Sequence, residues 1–237
     1  MDSYRKTAIF VGVLFIIATI SPIASAFFIG SIYDPDYLST ISANETQLLI
    51  GVLLLLTMTA AIVSIPILMF PILRKQNESL GLGYVGARIF EGFFSAINII
   101  ILLSLLSLSL QFVNAAVPAN SYFETSGALL LSQFDWCSIL LDFPFTIGAL
   151  LFNFLLYKSR LVPRWLSLFG LVGGALWLGT TPFRLFGLFP SSLEIFAIAI
   201  AAQEMIFAIW LIAKGFNQSA LASLSAKTDI SKNQAST

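Results

Sequence analysis

The chain has 237 residues, 58% of them hydrophobic and 10% charged, and a mean hydropathy of +0.92, which leaves too little polar surface for a water-soluble globule of this size. Twelve basic and twelve acidic residues cancel to a formal net charge of zero, so no global field draws in nucleic acid. Histidine is absent, which removes the commonest general base and transition-metal ligand, and the single cysteine, Cys137, excludes an intrachain disulfide and reads as a small buried apolar side chain.

Apolar runs separated by polar breaks predict six membrane-spanning helices, over Thr7 to Tyr33, Gln47 to Leu73, Gly83 to Phe112, Ser126 to Tyr157, Trp165 to Gly187 and Leu193 to Lys214. The expected fold is all-α, one polytopic transmembrane bundle over residues 1–216. Residues 217–237, rich in Ser, Ala, Asn and Lys, are expected to form a disordered tail. In the first run, Arg5 and Lys6 followed by Ala24-Ser25-Ala26 imitate a cleavable leader, but apolar character continues through Phe27 and Ile32 to Tyr33, which favours a retained helix. Pro22, Pro66 and Pro144 fall inside spans as kink positions, and Gly170 with Gly174 provides a small-xxx-small face for close helix approach.

Orientation follows from the basic residues. Arg5 and Lys6, Arg74 and Lys75, Lys158, Arg160 and Arg164, and Lys214, Lys227 and Lys232 fall on one side of a six-span arrangement, so both termini are expected in the cytoplasm and the protein in the cell membrane. Arg74, Lys75, Lys158, Arg160 and Arg164 are expected to meet lipid headgroups, with Pro163 starting the fifth span and Trp165 anchoring it. The phrase Gly81-Leu-Gly83-Tyr-Val-Gly86 resembles a dinucleotide fingerprint but lacks the preceding strand that gives the motif its mechanism. Asn44-Glu45-Thr46 is a glycosylation sequon whose pattern recurs at Asn77 and Asn217 on the other side, so it reads as chance.

The informative signal is charge at membrane depth. Arg88, Glu91, Ser95 and Asn98 lie on one face of the third span. Within spans the cations are Arg88 and Arg184 and the carboxylates Glu91, Asp135, Asp142 and Glu204, so at least two acids lack a fixed cationic partner. A charge at the bilayer centre costs at least about 2.5 kcal/mol, so these groups should face the bundle interior, and two of the acids should be protonated, share a proton, line a wet cavity or await a cationic ligand. Arg88 and Glu91 are spaced to pair within one helix, with Asp142 and Glu204 near the midplane and Asp135 and Arg184 in the outer half.

Three functions fit this pattern. The first is binding or transport of a small molecule, lipid or proton through a polar interior. The second is an intramembrane enzyme using a buried carboxylate, and the third a scaffold or partner subunit. No serine–histidine pair, histidine-ligated metal or G-x-S-x-G elbow exists, and Asp135 and Asp142 share one helix, unlike a facing aspartyl dyad, so no cofactor or metal is expected. Glu91-Gly-Phe-Phe-Ser and Glu204-Met-Ile-Phe-Ala close each three-span half in similar phrases, a faint sign of inverted repeats.

The run Arg88-Ile-Phe-Glu91, the loop Leu156-Tyr-Lys-Ser-Arg-Leu-Val-Pro-Arg-Trp-Leu-Ser167 and the ending Trp210-Leu-Ile-Ala-Lys-Gly-Phe216 resemble a family of prokaryotic six-to-seven-span membrane proteins, the domain of unknown function 4386. The resemblance runs from the first span to about Phe216. It implies the same topology, puts emphasis on Arg88, Glu91, Ser159, Pro163 and Arg164, and brings no established activity. Many members carry a histidine in the fourth span, which this chain does not.

Overall fold

A computed structural model describes residues 3–115 and 121–235. The described residues form α1 (Ser3–Ile29), α2 (Tyr37–Ala43), α3 (Glu45–Leu73), α4 (Glu78–Asn114), α5 (Ser121–Ser159), α6 (Arg164–Leu185), a 3-10 turn (Ser191–Glu194), α7 (Ile195–Ala213) and α8 (Gln218–Ala235). Six of these, α1 and α3 to α7, are long and apolar enough to cross a membrane.

Helix ends follow local chemistry. The first span stops at Ile29, short of the expected Tyr33, because Gly30 turns the chain with φ +68. The third begins at Glu78, earlier than the expected Gly83, because the Asn77 side chain accepts from the Leu80 N–H (2.9 Å) and caps it. Two elements differ from expectation. The first loop contains α2, held down by buried Leu38 and Ile41, and the Ser109 hydroxyl of α4 donates to the Leu38 carbonyl. The tail expected to be disordered forms α8, because Leu221 and Leu224, three apart, pack into the core while the rest of its composition is polar.

The six long helices form a closed circuit. Each packs on its neighbour in sequence, α1 on α3, α3 on α4, α4 on α5, α5 on α6 and α6 on α7, and α7 closes back on α1. The closing seam depends on Gly12, where a Cβ would lie 2.8 Å from the Ala208 carbonyl oxygen. Arg5 ties the same seam at its end by donating to the carbonyls of Leu211 (3.0 Å), which also accepts from the Gly215 N–H, and Ile212 (2.6 Å), in the last turn of α7.

Two apolar clusters fill the bundle. At the end that holds the start of α1 and the α8 helix, residues from all six spans converge. Phe15, Phe152 and Phe207 meet there at 5.2 to 5.9 Å between ring centroids, and Tyr84 stacks on Phe152 at 4.8 Å. At the opposite end, Ile32, Leu38, Leu48, Val52, Leu102 and Leu105 build a second cluster from α1 to α5 without α6 or α7.

Between α5 and α6 the approach is set by Gly170 and Gly174, as their spacing suggests. A Cβ at Gly170 would lie 2.4 Å from the Asn153 carboxamide, and one at Gly174 would lie 3.2 Å from Leu150. Substituting Gly170→Ala is expected to cost about 1–3 kcal/mol through overpacking, read as a lower thermal midpoint in detergent. Adding Asn153→Ala should recover part of that loss, whereas strictly additive losses would place the clash elsewhere.

Candidate functional site

The polar stripe of α4 is buried along its whole length, and each member meets a different partner. Arg88, 4% exposed, donates from Nη1 to Glu91 Oε2 at 2.7 Å, one turn ahead on the same helix. Its Nη2 reaches across to Glu204 Oε1 on α7 at 3.3 Å. Ser95 shares a 2.7 Å hydrogen bond with Thr59 of α3, and Asn98 donates from Nδ2 to Ser138 Oγ of α5 at 3.1 Å. The stripe therefore links α4 to α7, α3 and α5. Arg88 Nε and Asn98 Oδ1 stay buried without a hydrogen-bond partner, so each keeps bonding capacity to spare.

A second ion pair lies deeper along the bundle. Asp142 of α5 accepts from Arg184 of α6, and the Arg184 guanidinium lies 5.1 Å from the Trp177 ring centroid. The two ion pairs together set three carboxylates, Glu91, Glu204 and Asp142, against two guanidinium groups in the bundle interior. At 1.5 Å per residue, Arg88 and Glu204 are each about 15 Å from the basic end of their helix, Asp142 about 26 Å and Arg184 about 30 Å. Glu204 thus sits in the Arg88 layer, and Asp142 is the acid that pairs with Arg184.

The three acids differ in burial. The Glu91 side chain is 5% exposed, Glu204 15% and Asp142 21%. The Arg88 guanidinium rests 5.9 Å from the Tyr84 ring and 5.4 Å from Phe145, and towards the basic end, beyond Tyr84, the Phe15, Phe152 and Phe207 rings are each no more than 4% exposed. The charges therefore rest on an aromatic plug.

Asp135 does not join the cluster. Its Oδ1 accepts from the Tyr33 hydroxyl at 2.5 Å near the end opposite the termini. Burial, then the hydrogen bond and the charge of Asp135, push the Tyr33 phenol well above the usual tyrosine range, so it stays a donor. Among the five basic residues expected at headgroups, Lys75 is half-buried and donates to Tyr4 Oη (2.9 Å) and Ser225 Oγ (3.0 Å), tying the α3–α4 connection to α1 and α8. Arg74, Lys158, Arg160 and Arg164 are exposed. Cys137 is buried, with its thiol donating to the Phe94 carbonyl at 3.4 Å.

Several participants were not singled out from sequence. Gln203, beside Glu204, donates from Nε2 to Asn153 Oδ1 (3.3 Å) and to the Leu166 carbonyl (3.4 Å), and so joins α7 to α5 and α6 next to the charged layer. A neutral amide inside a span is the signal that points to such a contact, because lipid offers it no partner. Phe145 and Trp177 are ordinary apolar residues in the sequence and Tyr84 reads there as an interfacial aromatic at a span end, and only packing places the three against guanidinium groups. Among the described residues, no group of three His, Cys, Asp or Glu side chains is arranged to hold a metal ion.

No curated protein and no solved structure matches the chain. A family profile does match, over residues 10–215, a stretch that takes in most of α1 and every later span and stops short of α8. The Arg88–Glu91 pair and the loop from Leu156 to Ser167 both fall inside it, and the chain belongs to the family described as domain of unknown function DUF4386.

Proposed function

We propose that this is a multi-pass protein of the cell membrane, both termini in the cytoplasm, whose interior charge cluster takes up and releases a proton as part of binding or transporting a small solute. The supporting observation is that one guanidinium serves two carboxylates on different helices. Arg88 and Arg184 face Glu91, Glu204 and Asp142, so the fully ionised cluster carries one negative charge in excess, which a low-dielectric interior disfavours. One bound proton, or one small cation, balances it.

Glu204 is the acceptor we favour. It holds Arg88 by the longer contact, 3.3 Å against 2.7 Å for Glu91, and it is the more exposed of the two. Protonating Glu204 leaves Arg88 wholly to Glu91 and weakens the tie between α4 and α7. Deprotonation restores the tie. A proton is thereby linked to the packing of two helices, the kind of two-state element that a binding or transport cycle needs. The aromatic plug of Phe15, Tyr84, Phe152 and Phe207 closes the cytoplasmic side, so the arrangement suits access from the opposite face. The spare capacity of Arg88 Nε and Asn98 Oδ1 suits a polar guest in the same interior. The placement of Arg5, Lys6, Arg74, Lys158, Arg160, Arg164 and Lys214 towards one end supports the orientation.

Infrared difference spectra of the reconstituted protein between acidic and alkaline pH should contain the carbonyl stretch of a buried protonated carboxylic acid. Glu204→Gln should abolish that band, while Glu91→Gln changes its position, and both variants should insert as wild type does. If the two variants fail only in expression and insertion, the cluster is a structural brace and the proposal is wrong. The orientation is checked in a Cys137→Ser background with Ser223→Cys, which an impermeant maleimide should label in inside-out vesicles and leave unlabelled in intact cells.

A further inference from the structure

The end of the bundle that holds both termini carries two adjoining cavities, of about 520 Å³ and about 470 Å³, that share Arg160, Arg164 and Asn217 on their walls. The larger adds Lys214 and the smaller adds Lys158, so four cations surround the pair, and among the described residues no acidic side chain lines either cavity. None of the four forms an ion pair with a described acidic residue. Elsewhere at this end cations have structural work, as Arg5 has on the α7 carbonyls and Lys75 on Tyr4 and Ser225.

These cations are held in place without being neutralised. Arg164 lies 5.0 Å from the Tyr157 ring centroid and Lys158 lies 5.6 Å from that of Phe154. Arg160 is the one described non-glycine residue with positive φ, at 56°, a backbone conformation glycine would adopt without strain. The Asn217 N–H donates to the Leu161 carbonyl at 2.9 Å, which fastens the start of α8 against this loop. Ser219 and Ala220, the first-turn residues of α8, line the smaller cavity, so the positive end of that helix adds to the same field. Trp210 and buried Phe216 give the larger cavity an apolar wall.

We propose that Lys158, Arg160, Arg164 and Lys214 form a discrete binding site for a phosphate monoester, carried either by a lipid headgroup or by a soluble phosphate compound. A dianion with several acceptor oxygens matches two guanidinium forks and two ammonium groups better than a single carboxylate does. The apolar wall suits a phosphate attached to a non-polar body. The site is separate from the Arg88 cluster, which lies on the far side of the aromatic plug, and does not depend on the function assigned to that cluster.

The test uses the full chain in two arms. In detergent the protein is titrated with phenyl phosphate by calorimetry. In phosphatidylcholine nanodiscs with or without phosphatidic acid, retained lipid is counted by native mass spectrometry. Saturable one-to-one binding is expected, and Arg160→Gly and Arg164→Gln should each weaken it by about ten-fold or more, the loss of a charge-assisted hydrogen bond. Arg160→Gly relieves the left-handed backbone, so its thermal midpoint should not fall, which separates lost binding from lost folding. Binding of phenyl phosphate alone identifies a soluble phosphate, and retention of phosphatidic acid alone identifies a lipid headgroup. No saturable binding in either arm, or undiminished binding by Arg160→Gly, overturns the site.

Discussion

Arg88 is a single cation held between two carboxylates at membrane depth, and the arrangement of the bundle around it follows from the need to keep all three away from lipid. An unpaired arginine facing hydrocarbon is costly, and its nearest acid, Glu91, is already supplied by its own helix. The second acid comes from α7, more than a hundred residues further along the chain, so satisfying the arginine brings α7 across to α4. The circuit in which α7 closes on α1 provides the room for this contact. Small residues make that closure possible, Gly12 at the α1–α7 seam and Gly170 at the α5–α6 seam, because association within lipid relies on close backbone approach more than on the hydrophobic effect.

The same constraint explains the layering. Apolar clusters that use every span lie towards the termini, where the aromatic rings of Phe15, Tyr84, Phe152 and Phe207 form a floor beneath Arg88. The other apolar cluster uses α1 to α5 alone, and on the side where α6 and α7 are free of it, Arg184 meets Asp142 beside Trp177. Charges are therefore confined to a band between two dry regions. Within that band Glu91 is the least exposed acid and Asp142 the most. Buried ion pairs are poor contributors to net stability but costly to break singly, so a cluster of this kind specifies which helices meet more than it strengthens their meeting.

Composition and hydropathy alone determined that the chain is an all-helical bundle of six spans, since twenty or so apolar residues in lipid have no alternative to a helix that satisfies its own backbone. Spacing alone also determined that Arg88 and Glu91 would pair, because residues three apart on a helix are neighbours whatever surrounds them. Helix ends were less legible. Glycine at 30 and the asparagine cap at 77 are local signals that hydropathy averages over, and α8 was missed because two leucines in a polar segment carry little weight until a core is present to receive them.

Only the tertiary structure decided which acid on which helix completes Arg88, that Asp142 belongs to Arg184, and that Asp135 turns to Tyr33 outside the cluster. The physical reason is that a sequence reports depth along a helix, whereas these pairings depend on rotation about the helix axis and on which helices are adjacent. Both are set by the packing of small residues and rings at the seams. The convergence of four loop cations around two cavities at the terminal end has the same origin, since the basic loops were visible in the chain but their meeting required α8 to fold back beside them.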